Sequence, residues 1–86
     1  MSVIFTEEGW EDDIWYQDTD MKLLKRLNVL IEEIQRSPFD GTGKPESLRA
    51  NLSGYWSRRV SMEHRLVYKV TEEGVVIVAC RFHYRE

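Results

Sequence analysis

The sequence predicts an α+β domain of order β-α-α-β-β-β, with two helices packed on one face of a small antiparallel sheet. Three observations carry this. Leu23, Leu24, Leu27, Leu30, Ile31 and Ile34 recur at i, i+1, i+4, i+7, i+8 and i+11, the period of a helix with one apolar stripe. From Tyr55 onward the chain turns to strand composition, with Val, Ile, Tyr, Trp and Phe dominating residues 55–60, 65–71 and 75–84. The links between those runs, 61–64 and 72–74, are too short for a parallel crossover, so the strands form two successive antiparallel hairpins.

Taken in order, Val3, Ile4 and Phe5 make a short apolar first strand. Thr6 follows as an N-cap, and Glu7 and Glu8 suit the positive end of a helix. That helix is expected to reach Tyr16, with Trp10 and Ile14 on its buried face and Gly9 weakening it slightly. Residues 17–20 offer a break and a new cap. The second helix carries the apolar stripe, with Lys22, Lys25, Glu32 and Glu33 on its wet side, and Pro38 stops it. Residues 39–45 form a loop with two glycines, and its spacing fits neither a Walker loop nor a dinucleotide fingerprint.

With 86 residues, the chain is expected to form a single domain spanning residues 1–86. Hydrophobic residues at 42% and charged residues at 31% fit a globular domain with a well-solvated surface. The longest apolar run, 75–80, is far short of the ~20 residues of a membrane helix. The N-terminus lacks the basic and apolar regions of a secretory signal, and the single Cys80 excludes an internal disulfide framework. A cytoplasmic, reducing location is therefore expected, with no membrane partner.

The net charge of −3 conceals an asymmetry. Residues 1–40 carry −6 and residues 41–86 carry +3, with six basic and two acidic residues between Lys44 and Lys69. Alternation along the strands gathers Arg59, Arg65, Lys69, Arg81 and His83 on one face, provided the hairpins pair odd positions with odd. The other face collects Trp56, Arg58, Val60, Leu66, Tyr68, Val70, Val76, Val78, Cys80 and Phe82 as core. Like charges on neighbouring strands repel, so an anion should relieve them: Glu46, Glu63, the acidic half, or a bound polyanion.

A cation cluster with one titratable imidazole and one free carboxylate suits phosphoryl transfer on RNA, which supplies its own 2′-hydroxyl nucleophile. The ligand set is poor for a metal: Cys80 and His83 face opposite ways along a strand, and only His64 is left beside them. No metal and no cofactor are expected. Cys80 falls on the core face, as do Trp10 and Trp56, while Tyr55 and Tyr84 are freer to stack on bases. On the residues alone, an enzyme, a non-catalytic RNA- or ribosome-binding module, and a subunit receiving an acidic peptide all stay open.

Four stretches narrow this: PFDGTGKPE at 38–46, NLSGYWSRR at 51–59, EHRLVY at 63–68 and ACRFHY at 79–84. With WED at 10–12 and QDTD at 17–20, they resemble the YoeB/Txe family of toxins in the RelE superfamily, over essentially the whole chain. The resemblance implies a RelE-like fold and a type II toxin–antitoxin system. It implies a ribosome-dependent endoribonuclease that cleaves messenger RNA in the ribosomal A site without a metal. On matching positions, Glu46 corresponds to the general base, Arg65 to the stabiliser of the transition-state phosphate, His83 to the general acid and Tyr84 to the aromatic that positions substrate. Lys44, Arg49 and Arg59 fall where basic residues contact RNA. The implied partners are the ribosome with its message, a cognate antitoxin whose acidic C-terminal segment covers the toxin, and a second copy in a homodimer. Ser47 stands where some members have proline, and Arg49 where lysine is common.

Overall fold

Both helices start at the caps the sequence marks. Thr6 Oγ1 accepts the Gly9 N–H at 3.1 Å, and Asp20 Oδ1 accepts the Leu23 N–H at 3.0 Å. The computed structural model describes residues 1–82; positions 83–86, and with them His83 and Tyr84, lie outside the described residues. In chain order the elements are β1 (Ser2–Phe5), α1 (Glu7–Thr19), α2 (Met21–Arg36), β2 (Glu46–Ser47), a 3-10 turn (Ala50–Leu52), β3 (Trp56–Arg59), β4 (Arg65–Thr71) and β5 (Gly74–Ala79). The strands form one open sheet in the order β1-β5-β4-β3-β2. The β5-β4-β3 neighbours are antiparallel, as expected; the sheet also has a strand the sequence did not mark, β2, antiparallel to β3 at the edge, and β1 joins β5 in parallel. No described helix is long and apolar enough to cross a membrane.

α1 runs past the end expected near Tyr16. A bond from Gln17 Nε2 to Asp13 Oδ1, at 2.8 Å, supports its last turns, and Asp20 alone separates the helices. Its buried side also differs from expectation, holding Gly9, Asp13 and Tyr16 while Trp10 is 51% exposed and meets Phe5 edge-on at 5.6 Å. The cause is Gly9, where a Cβ would collide with the Ile77 carbonyl of β5. That close approach fixes the rotation of α1, and the next residue points about 100° away.

α2 buries the predicted stripe: Leu24, Leu27, Leu30, Ile31 and Ile34 join Tyr16, Val60, Leu66, Tyr68, Val75, Ile77 and Cys80 in one core, with Leu23 and Trp56 packed against it. The β5 members of this core correct the sequence reading. β4 and β5 pair Val67 with Ala79 but Tyr68 with Ile77, a β-bulge at Val78. One extra residue reverses which side chains face inward, so Val75 and Ile77 are buried instead of Val76 and Val78. β5 also stops at Ala79, short of the expected end at Tyr84. Cys80 is buried as expected, whereas Phe82 is 55% exposed and outside the core.

Candidate active site

The sheet face turned away from the helices assembles most of the expected cation cluster. Arg59 and Arg65 are direct cross-strand partners, and Lys69 follows Arg65 on the same side of β4. Glu46 pairs with Ser57, two positions before Arg59. Cross-strand partners point to the same side, so the Glu46 carboxylate shares a face with both arginines. A row Glu46–Ser57–Val67–Ala79 crosses the sheet there, flanked by Arg59–Arg65 on one side. The Lys69 ammonium stands 5.3 Å from the centre of the Tyr55 ring, a cation–π contact that leaves Tyr55 half-buried.

Among the described residues, Arg65 Nε and Ser57 Oγ on this face are buried without a hydrogen-bond partner. Among the described residues, neither Arg59 nor Arg65 lies within ion-pair distance of a carboxylate. With no described carboxylate beside them, the terminal Nη groups of the two arginines suit an anion, and a phosphodiester fits the fork of a guanidinium.

Glu46 is held by a loop that is anchored from the far side of the sheet. Arg58, on the inner face of β3, is wholly buried and uses all five of its N–H groups. Nε donates to Tyr68 Oη at 3.2 Å, Nη1 to Glu33 Oε1 and Thr42 O at 3.2 Å each, and Nη2 to Ser37 O at 2.5 Å and Asp40 O at 2.8 Å. Glu33 also accepts the Thr42 N–H at 2.5 Å. The Thr42 hydrogen bonds, helped by Arg58, hold the Glu33 carboxyl below its ordinary range. Tyr68 donates to Pro38 O at 2.6 Å, and burial raises its pKa. One guanidinium thus fixes residues 37–42, and Arg59 N–H then binds Gly43 O at 2.7 Å. Lys44 follows, exposed and with φ of 51°, immediately before Pro45 and Glu46.

Arg49 is exposed at the start of the 3-10 turn, beyond Leu48, which is buried and whose N–H binds Tyr55 O at 2.9 Å. Lys44, Arg49, Arg59 and Glu46 therefore all reach solvent. Arg81 does not join them, correcting the sequence reading. Because β5 ends at Ala79, Arg81 turns towards α1, where Nε lies 3.9 Å from Asp12 Oδ1 and the guanidinium sits against the Trp15 and Phe82 rings. Among the described residues, no three His, Cys, Asp or Glu side chains are grouped to hold a metal ion. The Cys80 thiol is pushed well up by burial and is an inert core group.

Two residues that sequence reasoning left without a role prove central to the framework. Arg58 carried a signal: an arginine between Trp56 and Val60 on an apolar face requires a buried partner. His64, buried at 4% exposure and ringed by aromatics, carried none, because its partners come from α1 and from beyond β5.

Two helices behind an open sheet face lined by cations, with a carboxylate at its edge, place the chain among small α+β proteins with a five-stranded, mostly antiparallel sheet. The profile described as YoeB-like toxin of bacterial type II toxin–antitoxin system matches residues 5–84, and the chain belongs to that family. It is 59% identical to Toxin YoeB of Synechocystis sp. over 85 residues, which is 99% of either chain. Among solved structures, a YoeB/ParE toxin from Agrobacterium tumefaciens superposes with a TM-score of 0.94 at 43% identity, covering 98% of this chain and 100% of that one. A YoeB–YefM heterotetramer from Staphylococcus aureus contains a chain with a TM-score of 0.89 at 41% identity, and a YoeB dimer from the same organism gives 0.91 at 41%, each covering 98% of both chains. The chain is accordingly a toxin of a type II toxin–antitoxin system.

Proposed function

We propose that this toxin is an endoribonuclease that cuts messenger RNA in the ribosomal A site, using the RNA's own 2′-hydroxyl as nucleophile. The observation that carries the reading is the Glu46 carboxylate on the same sheet face as Arg59 and Arg65. A surface that only binds RNA gains from cations and loses from an acid among them, whereas a reaction that removes a proton beside a phosphate requires both.

In this mechanism Glu46 takes the 2′-hydroxyl proton as O2′ attacks phosphorus. Arg65 binds the negative charge that accumulates on the non-bridging oxygens. His83 donates a proton to the departing O5′, and Tyr84 positions the substrate. The bond to O5′ breaks, leaving a 2′,3′-cyclic phosphate upstream and a 5′-hydroxyl downstream. Lys44, Arg49 and Arg59 hold the RNA backbone. The open face supports a role for the ribosome in orienting the message, since positioning alone can be worth several kcal/mol. The same cations suit an acidic C-terminal segment of an antitoxin, in line with the YefM complex of the Staphylococcus aureus relative; ordering such a segment costs ~2–5 kcal/mol. That relative's dimer supports self-association, and a cytoplasmic site of action follows from the ribosomal substrate.

The test is single-turnover cleavage of a labelled message beside equilibrium binding to the same ribosomes. Glu46→Gln and His83→Gln should each slow cleavage at least ~100-fold while changing ribosome affinity less than about tenfold. Wild-type cleavage by both variants would instead favour a non-catalytic ribosome-binding module, and parallel loss of binding and cleavage would make the two residues docking contacts. A 2′-deoxy sugar at the cut position should abolish cleavage.

A further inference from the structure

Beyond β5 the chain runs through Cys80, Arg81 and Phe82 outside the sheet ladder, yet it is tightly held. Asp12 Oδ2 accepts the Cys80 N–H at 3.0 Å, and Tyr16 Oη donates to Cys80 O at 2.5 Å. The Phe82 N–H donates to His64 Nδ1 at 2.8 Å, and the Phe82 carbonyl accepts the Arg65 N–H at 3.0 Å. Phe82 has φ of 60°, a left-handed conformation that a residue with a Cβ adopts only when its surroundings impose it.

The His64 ring lies 5.5 Å from Trp15, 5.6 Å from Tyr16 and 5.4 Å from Phe82, measured between ring centres. A phenylalanine would fill such an aromatic box with less desolvation cost. The distinguishing property of histidine here is an acceptor. A backbone amide can only donate, so Nδ1 carries the lone pair and the ring proton sits on Nε2. The bond joins two residues each of which directly precedes a position assigned to the reaction: His64 precedes Arg65, and Phe82 precedes His83.

We propose that His64 is a positioning residue: by accepting the Phe82 N–H beside Arg65, it sets the direction in which the chain enters position 83. The inference rests on the assignment of His83 to the cleavage step. Two variants separate the acceptor from the packing. His64→Phe keeps a ring and loses the acceptor; His64→Asn keeps an acceptor where Nδ1 stands and loses the ring.

Three quantities are measured on each: melting temperature, hydrogen exchange at the Phe82 and Arg65 amides, and single-turnover cleavage with ribosomes in excess. His64→Phe should melt closer to wild type than His64→Asn. It should nevertheless exchange the Phe82 amide at least ~10-fold faster and cleave ~10–100-fold more slowly, with ribosome affinity within about threefold, the scale expected when a reacting group is misplaced by about 1 Å. His64→Asn, though less stable, should recover part of the rate. A merely structural histidine gives the opposite order, with activity following melting temperature. Cleavage by His64→Phe within about threefold of wild type, or no advantage of His64→Asn over it, overturns the proposal. His83→Gln is the control: it should slow cleavage while leaving Phe82 exchange as in wild type. Wild-type cleavage by His83→Gln, with fast Phe82 exchange in His64→Phe, would overturn the reading of position 83 and leave the anchor itself standing.

Discussion

Replacing Arg58 by methionine should remove a large part of the domain's stability. Arg58 is wholly buried and satisfied by five hydrogen bonds, including an ion pair to Glu33 at 3.2 Å. Methionine keeps the unbranched stem about as far as Nε but lacks the fork beyond it, leaving Ser37 O, Asp40 O, Thr42 O and the Glu33 carboxylate without their donor. The ~3–5 kcal/mol cost of breaking a fully buried ion pair from one side is a ceiling here, since the Glu33 side chain is 22% exposed. The lower end applies here, because Ser37, Asp40 and Thr42 are exposed and water can reach their carbonyls, while Tyr68 keeps its bond to Pro38. A loss of about 3 kcal/mol is a substantial share of the ~5–15 kcal/mol typical of a whole domain. At ~4–8 °C per kcal/mol for a domain of this size, it corresponds to a fall of roughly 12–24 °C in Tm. Arg58→Lys keeps the charge but offers three donors to acceptors spread around a planar fork, and should fall between wild type and methionine. The assay is urea unfolding of the isolated toxin at pH 7, with thermal melts alongside. If Arg58→Met unfolds within about 1 kcal/mol of wild type, the guanidinium does not hold the 37–42 loop, and the account of how Glu46 is presented fails with it.

Two further outcomes are expected. Arg65→Ala should fold normally, since its side chain makes no ion pair among the described residues, and should lose RNA cleavage at least ~100-fold; near-wild-type cleavage by a folded variant would remove Arg65 from the mechanism. Glu33, whose carboxyl is held below its ordinary range chiefly by the Thr42 N–H, should stabilise the fold fully above its unfolded value near ~4.3 and lose that contribution as pH falls through the lower folded value. The Tm gap between wild type and Glu33→Gln should therefore be widest near neutrality and close on acidification, and a gap that widens in acid would contradict the assignment.

The parts of this fold legible in the sequence were those where one side of an element differs chemically from the other. The stripe of α2 is bounded by Lys22, Lys25 and Glu32, so its rotation could be read directly, and the structure buries that stripe. The face of β4 was readable because Arg65 and Lys69 alternate with Leu66, Tyr68 and Val70. β5 offers no such contrast: Val75, Val76, Ile77, Val78 and Ala79 are apolar throughout, and a one-residue bulge could reverse the faces without any mark in the pattern. α1 failed for a different reason. Its rotation follows from a glycine meeting a carbonyl across the core, and that constraint lies in the tertiary contact. The cation face survived these errors because Arg59, Arg65 and Glu46 sit on β2, β3 and the start of β4, on the far side of the bulge from the residues it reverses. Arg81 lies beyond Ala79, and it was the described cation that left the cluster.

The proposed groups also share a placement that has a mechanical consequence. Glu46 opens a two-residue edge strand, Arg65 opens β4, and the chain reaches position 83 only after leaving β5 at Ala79. Ends of strands expose side chains to a large partner, but they are the parts of a sheet that open most readily. A face crowded with like charge weakens them further when no anion is bound. The compensation comes from the opposite side of the molecule and from polar groups, since apolar packing fixes a position less specifically than a saturated set of hydrogen bonds. Arg58 ties the approach to Glu46 to α2 through Glu33, and Asp12, Tyr16 and His64 tie residues 80–82 to α1 and to the start of β4. The acidic, helical half of the chain thus does more than balance charge: it supplies the carboxylates and hydroxyl that hold two of the three segments leading to the proposed site. Substitutions that neutralise Asp12 or Glu33 should consequently impair cleavage without touching any residue that meets RNA, an effect measurable as a fall in single-turnover rate at unchanged ribosome affinity. Loss of affinity in step with rate would show instead that these carboxylates shape the docking surface as a whole.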